Sequence, residues 1–207
     1  ENNKIKFRWP WEVKKQIKLH QHFNRVIVGS QYLERHLQKN NFPTEKVWID
    51  PLYPNKNIGK LKGTGYLRDP DQILYVGSLI KGKGIEFLVK SLSNVNHKYH
   101  LIIAGEGPEK NKLLELVEQT KSDSIITFKG RLTQTELHAE YQKSRAIIVP
   151  SSLPETFSKA GIDGILNGCM PICANVGGIS QWLKNGQNGI LFESSNEIEL
   201  SKVLTNL

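Results

Sequence analysis

The feature that most constrains the fold is a regular alternation of short apolar runs and helical patterns that begins at Ile73. Each apolar run is continuous, and helical patterns about 10 to 13 residues long separate the runs. We predict strands at residues 73–78, 100–105, 125–130 and 146–151, and helices at residues 84–95, 108–120 and 133–144. Continuously apolar strands joined by helices predict an α/β fold with a parallel sheet and helices on both faces.

Glycine-rich loops follow three of these strands, at the edge where such sheets bind ligands. The sequences are VGSLIKGKG, AGEGPE and KGRLTQTEL. In the first loop, glycines let the backbone approach a ligand, and Lys83 places an ammonium group where a helix begins. Two cations, or one cation with backbone donors, would neutralise a diphosphate. The alternative for Lys83 is a solvated lysine in a basic turn.

The stretch from Pro150 to Phe192 indicates a strand end, an acidic loop, a helix, a buried strand, a Gly-Gly turn, a second helix and a return strand. The backbone N–H groups of Ser158 and Lys159 open the first helix and would suit a phosphate. Glu155 and Asp163 flank that point and can accept hydrogen bonds from hydroxyl groups. A phosphate site between two carboxylates is what a sugar nucleotide requires. The alternative is a surface turn at Glu155 and a local cap at Asp163.

This stretch resembles the signature of the family-four retaining glycosyltransferases of the GT-B fold. In that family a Glu, seven residues and a second Glu lie between a PSS strand end and a strand that carries Gly and Pro. The chain has Glu155, seven residues and Asp163, followed by Gly168 and Pro171. The second acid is therefore one methylene shorter than the family pattern. The resemblance implies a Rossmann-like, donor-binding C-terminal domain, with Glu155 on the donor sugar and Asp163 on the ribose.

The resemblance also implies roles for the three loops. The family pattern G-R-L, three residues, K-G matches Gly77, Leu79, Lys83 and Gly84, but Ser78 stands where the family has Arg. Either Lys81 compensates for that missing charge or the leaving group is stabilised less. The implied catalytic residues are Lys83 and Glu155. The implied donor-binding residues are Gly77, Ser78, Lys83, Gly107, Arg131, Leu132, Glu155, Phe157, Ser158, Lys159 and Asp163, with Arg131 and Leu132 acting on the base through main-chain groups.

The first third of the chain has a different character. Residues 11–23 indicate a helix, 25–29 and 46–50 indicate strands, and Ser30 is the predicted cap of a helix between those strands. We interpret residues 1–55 as the tail of the N-terminal, acceptor-side domain with its crossing segment, 56–70 as a linker and 71–207 as the donor domain. The chain opens on Glu, and Met170 is its only methionine, so we expect it to be part of a longer protein.

Charge and composition limit the partners. The net charge is +8, and much of it lies in the basic and aromatic segment KIKFRWPWEVKKQIKLH. That segment could rest on an anionic membrane surface or cover a missing domain. No nucleic-acid-binding module or concentrated basic stripe is present. We expect a cytoplasmic location, either free or peripheral on the inner face of the membrane. Cys169 and Cys173 are predicted to be buried core thiols, and no histidine has metal-ligand spacing.

The sequence therefore predicts the donor-binding part of a hexosyl-type glycosyltransferase that uses no metal and no cofactor. It would transfer a sugar from a nucleotide-diphosphate sugar to a glycan or lipid-linked acceptor with retention, in the synthesis of surface polysaccharide or glycoconjugates. A UDP-sugar is the expected donor, although side chains do not separate UDP from GDP or ADP. We expect this chain alone to bind donor and to transfer sugar weakly or not at all. The alternatives are an inactive nucleotide-sugar-binding module of the same fold and a GT-B epimerase or phosphorylase.

Overall fold

The computed structural model describes residues 15, 18, 19, 22–51, 68–120 and 122–207. Most of the predicted helix at 11–23, of the basic aromatic segment and of the 56–70 linker lies outside these residues, and the described residues 15, 18 and 19 are helical. The chain divides into two compact units, Glu1–Pro51 and Leu52–Leu207. Each unit is described by itself below.

The smaller unit is a two-stranded parallel sheet with one helix. Its elements are β1 (Val26–Val28), α1 (Gln31–Lys39), a 3-10 turn (Thr44–Lys46) and β2 (Val47–Ile49). Ser30 caps α1 as predicted, because its hydroxyl accepts a hydrogen bond from the N–H of Leu33 at 3.3 Å. A small core of Val28, Phe42 and Val47 lies against α1.

The larger unit is a six-stranded parallel sheet in the order β5-β4-β3-β6-β7-β8. Its strands are β3 (Asp69–Val76), β4 (His100–Ala104), β5 (Ile125–Gly130), β6 (Ser144–Val149), β7 (Met170–Ala174) and β8 (Ile190–Phe192). Its helices are α2 (Ile85–Leu92), α3 (Lys110–Gln119), α4 (Gln134–Lys143), α5 (Lys159–Leu166), α6 (Ile179–Trp182) and α7 (Glu197–Thr205). The Rossmann-like α/β fold predicted from the sequence is therefore confirmed.

The core has two halves, one on each face of the sheet, because successive strand residues point to opposite faces. Ile73 and Tyr75 of β3 pack beneath α2, α3 and α7, whereas Leu74 packs beneath α4, α5 and α6. Both faces of β3 are thus covered, which explains why its sequence is continuously apolar rather than alternating. Cys169 and Cys173 are buried free thiols, as predicted.

Strand β3 begins earlier than its apolar run. The sequence predicts a strand from Ile73, but pairing with β4 starts at Gln72 and the strand itself at Asp69. Gln72 is fully buried, and its amide donates hydrogen bonds to the Ser144 hydroxyl at 2.9 Å and to a Glu140 oxygen at 3.1 Å. The amide nitrogen of Gln72 therefore has partners that are distant in sequence, whereas its Oε1 is buried with no partner among the described residues.

Candidate functional site

The loops that follow β3, β4 and β5 enclose a cavity of about 460 Å³ at the carboxyl edge of the sheet. Backbone hydrogen bonds hold the loops together: the N–H of Gly77 donates to Ala104, that of Leu79 to Glu106 and that of Gly105 to Gly130, at 2.8 to 3.0 Å. The lining residues are Val76, Gly77, Ser78, Ala104, Gly105, Glu106, Arg131, Leu132 and Leu137. Four predicted donor-binding residues therefore share one cavity, namely Gly77, Ser78, Arg131 and Leu132.

Lys83 and Glu155 form an ion pair although 72 residues separate them in the chain. The Nζ of Lys83 lies 2.7 Å from Oε1 of Glu155, and their side chains are 31% and 15% exposed. The hydroxyl of Ser151 donates to the same oxygen at 2.5 Å. Among the residues that the structure describes, none donates to Oε2 of Glu155. The carboxylate is thus held by one oxygen and leaves the other for a ligand.

Two close backbone approaches create this ion pair. Gly84 has φ +74°, and a β-carbon there would lie 1.7 Å from the carbonyl oxygen of Pro150. Gly177 has φ +63°, and a β-carbon there would lie 2.1 Å from the carbonyl oxygen of Glu155, which also accepts the N–H of Gly178 at 2.7 Å. Only glycine combines that φ with so close an approach. The loop after β3 and the Gly-Gly turn after β7 therefore fix Glu155 from both sides.

The negative charge of Glu155 affects the pKa of two buried groups, Tyr75 and Cys173. Burial raises the pKa of the Tyr75 hydroxyl well above its ordinary value, and the negative charge of Glu155 raises it further. The pKa of the Cys173 thiol is raised by the same two causes in the same order. The Tyr75 hydroxyl donates to the carbonyl oxygen of Ser78 at 3.1 Å and so supports the first loop. In such a poorly solvated region, an interaction of Glu155 with a ligand is stronger than in water.

The start of α5 carries the remaining predicted residues. Ser158 is the N-cap, is 7% exposed and has φ +59°, which is rare for a residue other than glycine. Lys159 forms an ion pair with Asp163 one turn later. Both residues line a second cavity of about 430 Å³, with Leu137 shared between the two cavities. Asp163 thus lines the second cavity and is already paired with a cation.

Three further residues named in the sequence analysis lie outside the lining of the first cavity. The Phe157 side chain is 2% exposed and packs against Trp182, whose indole N–H donates to the Phe157 carbonyl at 2.6 Å, so only main-chain groups of Phe157 can face a ligand. Gly107 is not among the described residues that line the cavity. Lys81, the suggested replacement for the family Arg, is exposed and forms no ion pair within the described part of the chain.

Sequence reasoning missed Ser151 and Glu106. Ser151 is 1% exposed and orients Glu155. Its only sequence signal is a position four residues before an acid at a strand end. Glu106 lines the first cavity and pairs with Lys110 at 3.0 Å. Glu106 lies between the two glycines of AGEGPE, and the sequence pattern of that loop gives no separate signal for its carboxylate.

The described residues contain no group of three His, Cys, Asp or Glu side chains that could hold a metal ion. Within the same residues, no helix is long and apolar enough to cross a membrane. The larger unit is thus a parallel α/β domain with a glycine-lined cavity at the carboxyl edge of its sheet, the edge at which such sheets bind ligands.

Comparison with known proteins identifies the family. The model of the group 1 glycosyl transferases matches residues 60–207, and the chain belongs to that family. An uncharacterised glycosyltransferase of Methanocaldococcus jannaschii is 28% identical over 137 residues, which are 65% of this chain and 35% of that protein. A glycogen synthase of Mycobacterium tuberculosis is 29% identical over 124 residues, covering 58% of this chain and 30% of the synthase.

Solved structures share the fold. HepE of Anabaena, crystallised with UDP and glucose, superposes with a TM-score of 0.80 at 17% identity, over 96% of this chain and 57% of HepE. The chain thus spans well under two thirds of the length of these three proteins. The predicted resemblance to GT-B glycosyltransferases is confirmed.

Proposed function

We propose that this chain binds a nucleoside-diphosphate sugar at the carboxyl edge of its larger sheet, as the donor part of a retaining glycosyltransferase. The observation that carries the proposal is the Lys83–Glu155 pair, because it lies on the same loop system as the 460 Å³ cavity. Cavities of roughly 300–1,000 Å³ are typical of small-molecule sites. HepE, which shares the fold, was crystallised with UDP, and this supports a UDP-sugar as the donor.

The ion pair does not prevent either residue from acting on the donor. An ammonium group has three N–H donors, and Lys83 uses one of them on Glu155. The other two can reach phosphate oxygens. Glu155 uses Oε1 for Lys83 and Ser151 and keeps Oε2 for a sugar hydroxyl. The pair therefore presents a cation to the diphosphate and an acceptor to the sugar at the same time.

These roles fit a balanced transfer step. The bond between the anomeric carbon and the diphosphate oxygen breaks, and the leaving diphosphate keeps the electron pair. The acceptor oxygen forms its new bond on the same face of the sugar, and its proton passes to the leaving phosphate oxygen. Lys83 and the first-turn N–H groups of α5 stabilise the charge that develops on the leaving group. The sugar is a hexose in this proposal, and the acceptor is a glycan or a lipid-linked glycan of a surface polysaccharide.

Asp163 would accept hydrogen bonds from the ribose hydroxyls, and main-chain groups of Arg131 and Leu132 would contact the base. Arg131 and Leu132 line the cavity, which supports the second part of this assignment. Asp163 lines the neighbouring cavity and would exchange part of its contact with Lys159 for the ribose.

The second candidate is a nucleotide-sugar-binding module without chemistry. Ser78 favours it, because an exposed serine replaces a cation that would lie against the diphosphate. Transfer assayed with the full-length protein separates the two candidates. A binding module would bind donor and release no nucleoside diphosphate above the rate of spontaneous hydrolysis.

Calorimetric titration with UDP, GDP, ADP and UDP-glucose tests the binding proposal. Glu155→Gln should lower the affinity for UDP-glucose about tenfold to a hundredfold, because a hydrogen bond to a charged group is lost. The same variant should lower the affinity for UDP much less. Glu118→Gln is the matched control, since Glu118 is exposed near the far end of α3. No saturable heat with any nucleotide would refute donor binding, and equal losses for UDP and UDP-glucose would refute the sugar contact.

A further inference from the structure

The loop after β4 places a carboxylate, that of Glu106, in the lining of the 460 Å³ cavity. We propose that this carboxylate selects the base of the nucleoside diphosphate by accepting a hydrogen bond from an N–H group of its ring. Uracil and guanine carry such a group, whereas the corresponding ring nitrogen of cytosine and adenine is an acceptor. The inference rests on the proposed function, because it needs a nucleotide in this cavity. It goes further because it gives the choice of base to one side chain.

The order of the strands places Glu106 at one end of a row of loops. Glu155 follows β6, and its partner Lys83 lies on the loop after β3. Glu106 follows β4, which lies on the other side of β3 from β6, and Arg131 follows β5 at the edge of the sheet. A nucleotide that lies along this row, with its diphosphate at Lys83, has its base at the loops after β4 and β5.

The lining of the cavity suits a base at this end. Its apolar members can pack against a flat ring, and they are Val76, Ala104, Leu132 and Leu137. Among the described residues of the lining, Glu106 and Arg131 carry charge. A carboxylate only accepts hydrogen bonds and repels another anion, so Glu106 is not a ligand for the diphosphate. The neutral base is the part of the nucleotide that it can contact.

The carboxylate lies beside the main chain that would contact the base. Its Oε1 accepts a hydrogen bond from Nζ of Lys110 at 3.0 Å and lies 2.7 Å from the position that a β-carbon on Gly130 would occupy. Gly130 directly precedes Arg131 and Leu132. Within the part of the chain that the structure describes, no group donates to Oε2 of Glu106. The second oxygen can therefore accept a ring N–H.

Backbone contacts fix the position of Glu106. Its carbonyl oxygen accepts the N–H of Leu79 at 2.9 Å, and the N–H of Gly105 donates to Gly130 at 2.8 Å. On its other side, a β-carbon on Gly107 would lie 2.3 Å from the carbonyl oxygen of Leu79. The loop after β4 is thus held between the loops after β3 and β5. An acceptor fixed in this way discriminates between bases, because a base without the matching donor leaves it unpaired or meets it with a lone pair.

Three variants isolate the carboxylate. Glu106→Gln keeps the shape of the side chain, but its amide can both donate and accept, so it no longer separates the two kinds of base. Glu109→Gln is the matched control, because Glu109 also pairs with a lysine of α3, Lys112 at 3.3 Å, and is not among the described residues that line the cavity. Lys110→Met removes the partner of Glu106 and leaves the carboxylate in place.

The experiment titrates the wild type and the three variants with UDP, CDP, GDP and ADP. We expect the wild type to bind UDP or GDP at least about tenfold more tightly than CDP and ADP. Glu106→Gln should lower the affinity for that preferred nucleotide about tenfold. Its affinity for CDP and ADP should stay constant or rise, because a negative charge near the diphosphate is removed. Glu109→Gln and Lys110→Met should keep the preference of the wild type.

The choice of nucleotides separates the possible results. A preference for UDP identifies uracil as the base, and a preference for GDP identifies guanine. Equal weakening of all four nucleotides in Glu106→Gln would indicate a distorted cavity and overturn the role of the carboxylate, as would an unchanged preference. Loss of the preference in Lys110→Met would assign the selection to the ion pair and also overturn it. A wild type without a preference for UDP or GDP overturns this inference alone, and one that binds no nucleotide overturns the proposed function as well.

Discussion

Replacing Gly84 by alanine should test how the backbone creates the Lys83–Glu155 pair. Gly84 has φ +74°, and the new β-carbon would lie 1.7 Å from the carbonyl oxygen of Pro150. Gly186→Ala is a close control: its φ is +73°, and a β-carbon there meets nothing within 4 Å. The two variants share the cost of the left-handed backbone and differ in the steric clash.

The expected loss of stability is the sum of the backbone strain and the cost of the steric clash. A left-handed backbone at a residue with a β-carbon costs about 1–2 kcal/mol. The free energy of unfolding of Gly186→Ala should fall by that amount alone. Gly84→Ala should lose that amount and about 1–3 kcal/mol more, because the loop after β3 must move away from β6 to relieve the clash. The same movement separates Lys83 from Glu155, so the binding of UDP-glucose should also weaken.

Urea unfolding of the two variants measures the first effect, with a shift of the midpoint at constant slope. Titration with UDP-glucose measures the second. Equal losses of stability in the two variants would refute the close approach of Gly84 to Pro150. A destabilised Gly84→Ala that still binds UDP-glucose normally would show that this contact does not position the ion pair.

Three further predictions concern the stability of the larger unit. Burial raises the pKa of the Cys169 thiol to about 11 and that of Cys173 higher still, so neither thiol should react with a disulfide reagent at pH 8 in the native state, and both should react in urea. Tyr99→Phe should cost about 1–3 kcal/mol in urea unfolding, because the carbonyl of Leu204 loses its buried partner at 2.7 Å. Arg68→Ala should cost about 3 kcal/mol, because its guanidinium donates to the carbonyls at the ends of α4 and α5; a loss under 1 kcal/mol would contradict that role.

Much of the fold could be predicted because it depends on hydrophobic patterning. The strands at Leu101 and Ile147 are continuously apolar, since both faces of the sheet are covered. The capping box of α4 could also be predicted, because Thr133 and Glu136 lie three residues apart, and in the structure each bonds to the backbone of the other. The start of β3 could not be predicted, because the partners of buried Gln72 are distant in the chain.

Part of the candidate site could likewise be predicted from the sequence, and part could not. The sequence indicated Lys83 and Glu155 separately, each from its own loop, and the order of strands in the sheet brought them to 2.7 Å. Ser151 could not be predicted as their partner, because a serine at a strand end carries no signal of what its hydroxyl contacts. The left-handed backbone of Ser158 was equally invisible, since serine normally avoids it. Tertiary contacts, and not local preference, determine both.

Amide hydrogen exchange, with and without saturating UDP-glucose, tests most directly where the donor binds. We predict slower exchange in residues 77–79, 105–107, 131–132 and 158–160, with little change at the opposite edge of the sheet, where α3 and α4 end. Unchanged exchange at the carboxyl edge, or protection confined to the opposite edge, would contradict a donor site built by these loops.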